Sequence, residues 1–109
     1  MDLLSRLTNL FSRQGRDENQ LNAAIEFARE GAPAKAIEIY SELLRAEATS
    51  ATTKARALFN RALAYSSLND DPLAIADLKQ LAAQVDVPDN VRSAARTQLV
   101  RLNNRQKAT

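Results

Sequence analysis

The sequence predicts an all-α fold, and three observations carry that prediction. Helix formers dominate a chain of 109 residues that holds two glycines and three prolines. No alternating apolar–polar run is long enough to propose a strand. A segment of the chain also repeats at a spacing of 38, with small residues over small and bulky over bulky. Apolar residues make up 45% and charged residues 26%, the balance of one small globular domain with a modest core.

Each element follows from its own signals. Residues 2–13 read as an amphipathic helix, with Leu3, Leu4, Leu7, Leu10 and Phe11 on one side and Asp2, Ser5, Arg6, Asn9 and Arg13 opposite. Asp17 with Gln20 resembles a capping box and opens a second helix over 17–30, which Gly31 stops. Pro33 suits the first turn of a third helix over 34–47. Thr49, Ser50, Thr52 and Thr53 are the candidate caps for a fourth over 52–68, with Asn69 as its stop. Asp70 or Asp71, followed by Pro72, starts a fifth over 71–85. The last begins near Pro88–Asp89 and runs to about Asn104.

Shifting the chain by 38 lays 21–45, "LNAAIEFAREGAPAKAIEIYSELLR", over 59–83, "FNRALAYSSLNDDPLAIADLKQLAA". Ala24 then meets Ala62, Phe27 meets Tyr65, Ala36 meets Ala74, and Tyr40 meets Leu78. Each copy is a helix pair, with small residues where the two helices of the pair would cross and bulky ones beside them. This pattern resembles the tetratricopeptide repeat, a helix–turn–helix unit of 34 residues. The resemblance covers 17–88 as two repeats, 17–50 and 55–88, with 89–105 as a C-terminal capping helix and 106–109 as a flexible tail. It implies a right-handed superhelical stack of antiparallel helix pairs, an α–α solenoid of five to six helices. The chain departs from the family in three places. Gln20 and Leu58 stand where a bulky aromatic is usual, Leu43 and Leu81 where Ala is usual, and the closing Pro is missing from both copies. The longer period puts about one extra turn around 46–54.

The same resemblance assigns a concave groove, lined by Glu18, Leu21, Asn22, Ile25, Ala28 and Arg29 from the first repeat. From the second it assigns Arg56, Phe59, Asn60, Leu63, Ser66 and Ser67. Leu21, Ile25, Phe59 and Leu63 make an apolar strip there, suited to an amphipathic helix or an extended peptide, or equally to burial within the chain. Chaperone-binding members of the family grip a terminal carboxylate with Lys and Asn. Leu21 and Ile25 stand in those places in the first repeat, so that clamp is not expected.

Composition narrows the chemistry. The chain has no Cys and no His, which removes thiolate nucleophiles, zinc–sulfur sites, the commonest general base and the commonest metal ligand. No enzyme, cofactor, metal or small-molecule substrate is expected. The leading expectation is a protein- or peptide-binding scaffold in the cytoplasm, without a secretory signal or a membrane span. The alternative is a homo-oligomer. Residues 17–48 carry seven acids against three bases, net −4, whereas 90–109 carry five bases and no acid, net +5. These ends could attract head to tail. Nucleic-acid binding through Arg92, Arg96, Arg101 and Arg105 ranks lower, because no aromatic side chain stands nearby to stack on bases. Three readings compete for residues 1–14: a cap or groove filler on its own array, an association helix, or a membrane-surface helix. With few basic residues and no Trp, the last is the weakest.

Overall fold

The computed structural model describes residues 3–108, with side chains from Gly15 onward. It is all-α, with five helices and no strand among the described residues: α1 (Leu3–Arg29), α2 (Pro33–Arg45), α3 (Ala51–Ser67), α4 (Asp71–Ala83) and α5 (Asp89–Lys107). Each helix packs on the next, and lighter contacts join α1 to α3 and α3 to α5. The result is a stack of neighbouring helices measuring 61 × 31 × 19 Å.

Three of the turns follow their local sequence. Gly31 (φ 89°) and Asn69 (φ 63°) occupy the left-handed region, and they stand 38 residues apart. The same closing bond follows each, Ala32 N–H to Phe27 C=O at 2.8 Å and Asp70 N–H to Tyr65 C=O at 2.9 Å. This six-to-one bond satisfies a carbonyl that the helix end would otherwise orphan. Ser50 caps α3 by accepting from Thr53 N–H at 3.1 Å, and Asp70 caps α4 by accepting from Leu73 N–H at 3.3 Å. Pro33 and Pro72 sit in the first turns of α2 and α4, where a missing N–H leaves no bond unmade.

Two expectations are corrected. The break between residues 13 and 17 is absent: α1 is one helix of 27 residues, and Asp17 lies inside it rather than capping a new one. Gly15 costs about 1 kcal/mol relative to Ala in a helix, but without a proline or a left-handed residue nothing forces the chain to turn. The extra residues of the longer period fall where expected: after a loop over 46–50, the first turn of α3, 51–54, precedes the second repeat. The final helix continues past Asn104 to Lys107, because nothing after Pro88 breaks it, so 106 and 107 belong to the helix rather than to a tail.

The core divides into two clusters that share α3. One gathers Leu21, Ala24, Ala36, Tyr40 and Leu43 with Ala57 and Ala64. The other gathers Ala55, Leu58, Ala62, Ala74, Leu78 and Leu81 with Val87, Ala95 and Leu102. α3 therefore presents alanines to both sides and lets α2 and α4 approach it together. Of the eight repeat-signature residues, Ala24, Ala36, Tyr40, Ala62, Ala74 and Leu78 are buried. Phe27 and Tyr65 are half-buried, each with a cation over its ring: Lys35 Nζ at 4.7 Å and Arg61 Cζ at 5.6 Å.

Candidate binding hollow between α1 and α3

Ile25, Ala28 and Arg29 of α1 face Asn60, Leu63 and Ser67 of α3 across a hollow of about 290 Å³. Tyr40 of α2 and Ala64 of α3 complete its lining. Six of these eight residues belong to the groove assigned from the sequence. Leu63 is the apolar residue left most open there, at 38% exposed. The Asn60 amide donates to the carbonyl of Arg56, one turn back on its own helix, at 2.8 Å. Arg29 at the rim pairs with Glu26 at 3.1 Å, and both side chains remain largely in solvent.

The remaining assigned residues do not line this hollow. Leu21 is 0% exposed and packs in the α1–α2 core, three residues from Ala24 on the same side of the helix. Phe59 is half-buried against the second core cluster. Asn22, Arg56 and Glu18 are exposed elsewhere on their helices, and Ser66 accepts a hydrogen bond from Arg105 at 3.1 Å. The apolar strip is therefore shorter than expected, and it is carried by Ile25 and Leu63. The stripe Leu3, Leu4, Leu7, Leu10 and Phe11 lies outside the residues whose side chains the structure describes.

Sequence reasoning missed an ion pair at the centre of the stack. Arg61 donates through Nε and Nη2 to both carboxylate oxygens of Asp77, at 2.8 and 2.7 Å, and through Nη1 to the Ser41 hydroxyl at 3.1 Å. The fork ties α3 to α4 and α2 with matched planar geometry. The Asp77 side chain is 7% exposed and that of Arg61 20%. This hydrogen bond raises the Arg61 pKa above its ordinary value, and burial opposes it only in part. A signal was available: shifted by 38, Arg61 replaces Ala23 and Asp77 replaces Ile39. Complementary charges enter the second repeat together.

The basic end of the chain is less free than its sequence suggests. Arg105 is bound to Asp71 and Ser66, which fastens α5 to the turn between α3 and α4. Arg92 donates to the carbonyls of Val85 and Val87 at 2.8 and 3.0 Å. Arg96, Arg101 and Lys107 are exposed. Among the described residues no helix is long and apolar enough to cross a membrane. Comparison with protein-family models, curated proteins and solved structures finds no match to this chain.

Proposed function

We propose that this chain is a non-enzymatic interaction module of tetratricopeptide-repeat type, which holds a peptide or an amphipathic helix in the hollow between α1 and α3. The observation that carries this reading is the hollow itself. Two helices from successive repeats frame a mainly apolar depression, and neither repeat fills it. Fully burying each apolar side chain of a ligand there contributes ~1.5–3 kcal/mol, so a few anchors give useful affinity after the cost of ordering. Arg29 at the rim favours an acidic or carbonyl-rich flank. The internal pairing of Arg105 removes one cation from the head-to-tail and nucleic-acid readings, so neither is preferred.

The test compares proteins captured from a native lysate by the unaltered chain, by Leu63→Asp and by Val100→Asp. Both side chains are exposed, at 38% and 60%, so both variants should keep their helical spectrum. Capture lost with Leu63→Asp alone supports the hollow. Identical capture by all three chains overturns it.

A further inference from the structure

α1 itself names an occupant for the hollow, an inference that rests on reading the hollow as a binding site. At 27 residues α1 is about 40 Å long, whereas the 13 residues of α2 cover about 20 Å, half of that length. Leu3, Leu4, Leu7, Leu10 and Phe11 stand 18 residues, about five full turns, before Leu21, Asn22, Ile25, Ala28 and Arg29. On one unbroken helix, Leu7, Leu10 and Phe11 therefore hold the same register positions as Ile25, Ala28 and Arg29, the α1 wall of the hollow. The first half of a continuous helix cannot fold into a hollow that its own second half lines.

Charge sets the orientation of a second copy. Residues 1–16 carry Arg6, Arg13 and Arg16 against Asp2, net +2. Residues 17–30 carry Asp17, Glu18, Glu26 and Glu30 against Arg29, net −3. Side by side in parallel, like halves repel; antiparallel, each positive half lies on a negative one. We propose that two copies associate through antiparallel α1 helices, the apolar first half of each covering the hollow of the other. Full overlap of Leu3–Arg29 with its counterpart places Leu7 opposite Ile25 and Leu3 opposite Arg29. The contact is the same on both copies, so it closes at two and leaves no open end.

The chain has no cysteine, so one introduced cysteine is a clean reporter. Sedimentation of the full chain should give a dimer that high salt weakens. Leu63→Asp should raise its dissociation constant about tenfold or more, because the new charge would be buried without a partner. On oxidation, a mixture of Leu7→Cys and Ile25→Cys chains should form the mixed disulfide faster than either like pair. A monomer at every concentration overturns the proposal, as does preferential joining of Leu7→Cys to itself or a dimer indifferent to Leu63→Asp. Of these, the monomer result leaves the hollow as a site for a foreign ligand, which the lysate comparison decides separately.

Discussion

Ala62 and Ala74 are buried in one cluster between α3 and α4, and the space beside them is taken by Leu58 and Leu78. Ala62→Leu should therefore overpack that contact and lower stability by ~1–3 kcal/mol in urea titration. Their smallness was legible because both copies keep it. The Arg61–Asp77 fork was harder to see, since each residue alone passes for a solvated helix charge. Asp77→Ala should cost about 2–3 kcal/mol, because it strands a mostly buried guanidinium, whereas pairs in full solvent are worth under about 1 kcal/mol. A loss at that surface level would mean the fork is loosely held. Tyr40 supplies a pH signature, since burial raises its hydroxyl pKa above the ordinary tyrosine value. The unfolded chain then gives up that proton first. The stability contributed by neutral Tyr40 is present below the ordinary tyrosine range and is lost as pH rises through the raised value. Tyr40→Phe should flatten this alkaline decline in melting temperature.

At the level of elements, helix count and caps were readable wherever a residue forces a backbone outcome. Gly31, Asn69, Ser50 and Asp70 all act where their chemistry requires. Gly15 misled because a glycine permits a stop without demanding one. Gly15 lies within α1 with open space where a Cβ would stand, whereas Gly31 is left-handed. Gly15→Ala should thus raise stability by about 0.5–1 kcal/mol, and Gly31→Ala should lower it by a similar or larger amount. A loss from Gly15→Ala would restore the break that the sequence suggested. α5 allows a similar contrast. Arg105→Glu places like charges together at Asp71 and should lower the melting temperature, while Arg101→Glu on the exposed face should stay within about 0.5 kcal/mol of the parent.

For the whole molecule, the repeat spacing revealed the stack and part of the hollow, because packing faces recur when helices do. It could not place Leu21 or Phe59. A shared register says which residues correspond but not which neighbour covers them, and here α2 closes over Leu21 while Phe59 sits against the second cluster. Removing residues 1–14 tests the role of the long helix: the dimer should dissociate and leave the hollow uncovered, with increased binding of an apolar dye such as ANS. The central claim is that the hollow between α1 and α3 is where this protein meets its partner. Hydrogen exchange of the chain diluted to its monomer, compared with the chain bound to a partner from the lysate capture, tests it most directly. Added protection should centre on α1 around Ile25–Arg29 and α3 around Asn60–Ser67. Protection confined to α5 or the α4–α5 turn, with those two segments unchanged, would contradict it.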